Sequence, residues 1–283
     1  IKKDGLLKKN SFSLTNMRYI FRNLHMQFTD QLNNTIELKS FPNRIISLVP
    51  SQSELLWDLG LREELVGITK FCIHPQEMFK SIERVGGTKT LNIEKIRALQ
   101  PDLIIGNKEE NEQSQILELQ KEFTVWMSDI YTLEDSLSMI EKVGALVNRV
   151  EAAKTITNNI QHSFLNLRQL NKNGLYFIWR EPFMAAGKAT FIGDMLKRIG
   201  LENIISDEQA RYPELNIDEI KLLNPELILL SSEPYPFKAN HIKELQDILP
   251  HSKIVLVDGE LFSWYGSRLQ KSVAYFNELI SLL

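Results

Sequence analysis

A single cysteine, Cys72, among 283 residues excludes an internal disulfide, so the fold must rest on packing. Histidine is scarce as well: there are five, and only His74 falls near a candidate binding loop, which disfavours a histidine-rich metal site. No apolar run approaches the roughly 18 residues a membrane-crossing helix needs. The formal net charge of −3 offers no basic excess, which argues against nucleic acid as a partner. Also missing are a Gly-x-Gly-x-x-Gly turn after the early strands and a Walker loop, and Ser51, Ser53 and Ser267 have no histidine nearby in sequence. These absences weigh against a nucleotide enzyme or a serine hydrolase, and no catalytic residue or catalytic cofactor is assigned.

What the chain does contain is a long internal repeat. Residues 91–109 and 215–233 superpose at a constant offset of 124 (91 to 215, 109 to 233). Leu91/Leu215, Asn92/Asn216, Ile93/Ile217, Ile96/Ile220, Leu99/Leu223, Pro101/Pro225, Leu103/Leu227, Ile104/Ile228 and Glu109/Glu233 are identical, and Glu94/Asp218 and Arg97/Lys221 keep their charge. Two copies of one supersecondary unit imply two similar lobes, each with a modest core.

The spacing of apolar residues fills in the lobes. A hairpin is expected over 27–38 with its turn at Asn33-Asn34. Arg44 to Val49 reads as a buried strand stopped by Pro50, followed by a helix that Ser51 or Ser53 can cap and that closes at Gly60. Strands at 65–68, 103–105 and 123–127 complete a first lobe, and alternation with helical segments indicates α/β units. Thr132, with Asp135 three residues on, caps a helix to Leu146. A second helix is expected from Arg149 to Lys172, an unbroken strut about 35 Å long. Strands at 175–179, 227–230 and 253–257 and a closing helix over 267–282 build the second lobe. The fold class is therefore α/β, two Rossmann-like lobes with parallel sheets joined by one long backbone helix. The boundaries expected are 1–26 a disordered extension, 27–147 the N-terminal lobe, 148–172 the connecting helix and 173–283 the C-terminal lobe. Met26 could be a start, and the basic first 25 residues have no uninterrupted apolar stretch of the secretory kind.

Several motifs, taken in order, carry a family resemblance over residues 27–283: Arg44 to Ser51, Gly86 to Glu94, the Pro101 and Pro225 edges, Glu181-Pro182-Phe183, and Trp264-Tyr265-Gly266-Ser267-Arg268. The chain resembles the helical-backbone solute-binding proteins of ABC importers, which include cobalamin-binding and ferric-siderophore-binding periplasmic proteins. The resemblance implies a cleft between the lobes and a corrinoid, a haem-like compound or a metal chelate as transported ligand. It also implies a monomer in the periplasm or cell envelope that docks on a membrane permease. Glu94 and Asp218 stand at the docking acids' positions, and pseudo-symmetric lobes can present such a pair to a two-fold permease. The bland reading of both is that acids in a first helical turn favour the dipole.

Ligands bind outside the carboxyl ends of strands in open α/β sheets. Loops so placed supply the candidate ligand-binding residues Phe71, Lys89, Arg180, Phe183, Tyr212, Tyr235, Trp264, Tyr265 and Arg268. Aromatics with arginine suit a large, partly planar ligand carrying carboxylates or amides. Phe71 and Tyr212 match aromatic positions that contact corrin in the cobalamin-binding members, whereas Thr88 stands where those have a tryptophan. Phe237 and Phe262 are assigned to the core, and the plain alternative for Arg268 is a structural ion pair. Carboxylate coordination of a metal through Glu109, Glu110 and Glu233 is a subsidiary reading. Two other function classes stand beside the receptor: a non-exported small-molecule or metal-binding module, and a two-lobe α/β enzyme.

Overall fold

The computed structural model describes residues 26–206 and 210–283; the extension expected over 1–26 lies outside these except for Met26. That residue opens β1 (Met26–Thr29), which pairs antiparallel with β2 (Thr35–Leu38). Asp30 closes the hairpin turn by accepting from the backbone amides of Leu32 and Asn34.

The first lobe runs β3 (Ile45–Ser47), α1 (Pro50–Asp58), β4 (Leu65–Ile68), α2 (Gln76–Ser81), β5 (Glu83–Arg84), α3 (Ile93–Leu99), β6 (Leu103–Asn107), α4 (Gln113–Leu119) and β7 (Val125–Ser128). Its five strands are all parallel in the order β5-β4-β3-β6-β7. Neither serine caps α1. Pro50 occupies its first turn, where a missing N–H costs nothing, and the Ser53 hydroxyl turns instead to Ser47 and the Val49 carbonyl.

Next come α5 (Leu133–Leu146), which carries the expected capping box of Thr132 and Asp135, and α6 (Val150–Phe164). Gly144 lets the two helices cross closely, since a Cβ there would lie 2.3 Å from that of Ala153. The strut expected to Lys172 ends at Phe164, which makes it about 22 Å long. Beyond it the backbone is claimed by other elements: Arg168 N–H donates to Asn277 Oδ1 and Leu170 N–H to the Ile199 carbonyl. Leu167 and Leu170 still pack on the core, so the periodicity that suggested helix marks real burial in a non-helical segment.

The second lobe comprises β8 (Lys172–Trp179), β9 (Phe183–Ala185), α7 (Phe191–Arg198), β10 (Leu201–Asn203), β11 (Glu214–Leu215), α8 (Ile217–Leu223), β12 (Leu227–Ser231), α9 (Ala239–Ile248), β13 (Lys253–Val257), α10 (Gly259–Ser263) and α11 (Leu269–Leu282). Its sheet is mixed. β8, β10, β12 and β13 are parallel, but β9 is antiparallel to β8 and to β11.

The repeat is reproduced in three dimensions. α3 and α8 begin at residues 93 and 217, are capped by Asn92 and Asn216, and end at left-handed Gln100 and Asn224. The Asp102 carboxylate accepts from the backbone of Asn43 and Arg44, as the Glu226 carboxylate does from that of Asn173.

The two separate cores expected from the repeat are not what packing produces. The facing sides of the two sheets share one continuous core with α1, α5, α6, α7 and α11, including Leu55, Trp126, Ile140, Tyr176, Phe191 and Phe276. Smaller clusters lie on the outer side of each sheet.

Candidate functional site

A cavity of about 570 Å³ opens where the carboxyl ends of both sheets converge, with walls from both halves of the chain. In the first lobe its wall is the loop after β6. Asn107 accepts from the amides of Glu109 and Glu110. Asn111 donates to the carbonyls of Leu48 and Thr88, and Lys89 Nζ donates to the carbonyls of Glu109 and Asn111. Every polar group that shapes this loop is therefore committed, which fixes Glu109 and Glu110 at the cavity. Phe71 stands at the mouth, 49% exposed for so large an aromatic.

The second-lobe wall is the turn after β12 and the segment from Asp258 to Arg268. Glu233 Oε1 accepts from Ser263 Oγ (2.9 Å) and from the Trp264 indole N–H (3.0 Å). Gly259 is required here because a Cβ would meet Ser231 Oγ at 2.3 Å. The Trp264 ring lies over the Arg268 guanidinium at 4.5 Å and meets His74 edge-on at 5.8 Å.

Several charged contacts cross between the lobes. Arg268 holds Glu54 through two bonds of 2.7 and 3.0 Å, with both side chains under 10% exposed, and also reaches Glu260 at 2.7 Å. His74 meets Glu260 at 3.1 Å, and Arg211 meets Glu109 at 2.8 Å while stacking on Tyr131.

Electrostatically the cavity is acidic: Glu109, Glu110, Glu233 and Glu260 line it against Lys89 alone. Burial, reinforced by the charges of Glu109 and Glu233, pushes the Glu110 carboxyl up to about 7. Burial also raises Glu233, against the lowering effect of its bond from Ser263. The Tyr212 and Tyr265 phenols are pushed upward, mainly by burial, with nearby glutamates adding to it.

Five of the nine candidate ligand residues line this cavity: Phe71, Lys89, Tyr212, Trp264 and Tyr265. Arg268 lies beneath Trp264, spent in ion pairs, so the structural reading of that arginine prevails. Arg180, Phe183 and Tyr235 do not reach it. Arg180 chelates Glu244, Phe183 stacks on Phe177, and Tyr235 packs between Trp179 and Phe237, all on the outer side of the second sheet. There the chain turns away after Glu233-Pro234, and the antiparallel β9 carries Phe183 along an outer groove shared with Glu214 and Asn216. Phe237 and Phe262 are core, as expected. Glu94, its side chain 82% exposed, bonds to Arg97; Asp218 is exposed in the first turn of α8.

The candidate list omits the acids Glu110, Glu233 and Glu260 and the apolar Ile130, Ile178, Phe191 and Ile192. In the sequence Glu110 and Glu233 stand out only as possible metal ligands; Phe191 and Ile192 carry only a helix signal. Among the described residues, no group of three or more His, Cys, Asp or Glu side chains could hold a metal ion. Cys72 is buried between Ser53 and Thr69; in sequence it lies between the cavity-lining Phe71 and Ile73 but is not itself part of the lining. No helix of the described residues is long and apolar enough to cross a membrane.

Comparison with known proteins places this geometry. The family model described as periplasmic binding protein matches residues 45–251. A vitamin B12-binding protein of Vibrio cholerae serotype O1 is 28% identical over 200 residues, covering 68% of this chain and 72% of the relative. The uncharacterized ABC transporter substrate-binding lipoprotein YvrC of Bacillus subtilis is 26% identical over 271 residues, covering 89% and 84%. Among solved structures, the petrobactin-binding protein YclQ of Bacillus subtilis superposes with a TM-score of 0.75 at 20% identity, over 91% of this chain and 98% of that one, a likeness of fold.

Proposed function

This chain belongs to the periplasmic binding protein family, and on that premise we propose that it is the solute receptor of an ABC importer, taking a corrinoid, a haem-like compound or a ferric chelate between its lobes. The observation that carries the reading is the cavity itself: about 570 Å³, walled by both lobes at strand carboxyl ends, with Phe71, Tyr212, Trp264 and Tyr265 as aromatic faces. The vitamin B12-binding relative and the substrate-binding lipoprotein support the corrinoid and the importer respectively. No chemical step is assigned; selectivity is a matter of fit. The five cavity-lining candidates are the ligand contacts, and Glu94 and Asp218 are the docking acids for a permease. The receptor works as a monomer at the cell envelope, with residues 27–147 and 173–283 as lobes and 148–172 as their connection.

Titration of the protein with cyanocobalamin, haem and ferric siderophores, read by tryptophan fluorescence, tests the reading. Trp264 borders the cavity, so saturable quenching by one of the three classes is expected. No response to any of them would reject the proposal.

A further inference from the structure

The cavity has a charge preference that narrows the ligand class, an inference that rests on the receptor reading. Lys89, the one cation in its lining, and the neighbouring Arg211 and Arg268 are already committed, while Lys70 sits over Phe71 at the mouth. Lys89 donates to two backbone carbonyls, Arg211 is paired with Glu109, and Arg268 lies between Glu54 and Glu260. Among the described residues, two of the four lining acids have no cation of their own: Glu233 is held by Ser263 and Trp264, and Glu110 forms no ion pair. A second observation concerns neutral groups. Ser51 and Tyr265, 3% and 6% exposed, line the same cavity, and their hydroxyls lie near one another without closing a hydrogen bond of normal geometry. Buried polar atoms without partners are uncommon in folded proteins and are where a ligand group fits.

We infer that the cavity selects a cationic ligand, its positive group seated between Glu110 and Glu233 and its polar edge meeting Ser51 and Tyr265. A desolvated carboxylate without a counter-charge is costly, and a ligand cation removes that cost on binding. An anionic ligand would instead face these carboxylates, with Lys89, the one cation in the lining, held by backbone carbonyls. The upward displacement of both carboxyls is what two acids awaiting a counter-charge show. Aromatic faces at Phe71 and Tyr212 accept a cation as readily as a planar ring.

The test uses one chelate in two charge states: ferrioxamine B, whose terminal ammonium makes it cationic, and its N-acetylated neutral twin. Affinities of both, and of neutral cyanocobalamin and anionic haem, are measured by calorimetry at pH 8 on the intact protein and on E110Q and E233Q. The expected result is at least about tenfold tighter binding of ferrioxamine B than of its twin, about 1.4 kcal/mol. That ratio should fall towards one in each variant. Equal binding of the twins, tighter binding of cyanocobalamin or haem than of ferrioxamine B, or a preference unaltered in the folded variants would overturn the inference and leave the receptor reading standing. Failure of all four compounds to bind would overturn the receptor reading and this inference with it. Because the twin comparison is made on the unaltered protein, it decides the question even if a variant fails to fold.

Discussion

At the scale of single residues, the Glu54–Arg268 pair is the strongest tie between the lobes. Its charges are buried and its geometry is bidentate, so Arg268→Ala leaves Glu54 buried with only the more distant Lys271, at 3.7 Å, as counter-charge. A loss of about 3–5 kcal/mol in denaturant-induced unfolding is expected. The double variant Glu54→Leu/Arg268→Met, which removes both charges, should lose clearly less. Glu110 sets a pH signature. Its carboxyl titrates near 7 in the folded protein, above the ordinary 4.5, so folding favours its neutral form. The resulting destabilisation is full above about pH 7 and relieved as pH falls towards 4.5. Glu110→Gln should therefore raise the melting temperature by about 2–4 °C at pH 8 and have no such effect at pH 4.5. Sequence revealed these residues unevenly. Trp264, Tyr265, Tyr212 and Phe71 were visible because aromatics at strand ends are conspicuous. Glu54 was not, since a glutamate within a helix reads as a solvated acid until its partner, 214 residues away, is seen.

At the scale of elements, α3 and α8 are copies down to their caps, and this was fully legible: an asparagine ahead of an apolar helix with a carboxylate in its first turn has a local cause. What was not legible was the end of α6, because Leu167 and Leu170 keep helical spacing while the backbone amides of Arg168 and Leu170 bond to Asn277 and Ile199. Antiparallel β9 was equally hidden; its three residues are too few to show a period. The matched helices lead to a prediction about docking. Glu94→Lys with Asp218→Lys reverses two exposed charges without touching the cavity. Transport through the cognate permease in reconstituted vesicles should fall at least about tenfold while ligand affinity stays unchanged, since such rim charges govern association. Unimpaired transport would show that these acids serve their helices alone.

At the scale of the whole molecule, duplication was legible but the way the halves join was not. A repeat predicts two cores. Shared burial of the inner sheet faces instead fuses them around α5, α6 and α11, because residues such as Tyr176 and Phe276 find partners far away in sequence that no periodicity reports. A common core, the interlobe charged contacts and a helix without glycine or proline leave the lobes little freedom, so binding should need only slight closure. The most direct test of the account is a crystal structure of the protein with whichever compound quenches its tryptophan fluorescence. The ligand is expected in the cavity, touching Phe71 and Tyr212 as well as Trp264 and Tyr265, with the lobes hardly displaced. A ligand found in the outer groove beside Arg180 and Phe183, or touching one lobe only, would contradict it.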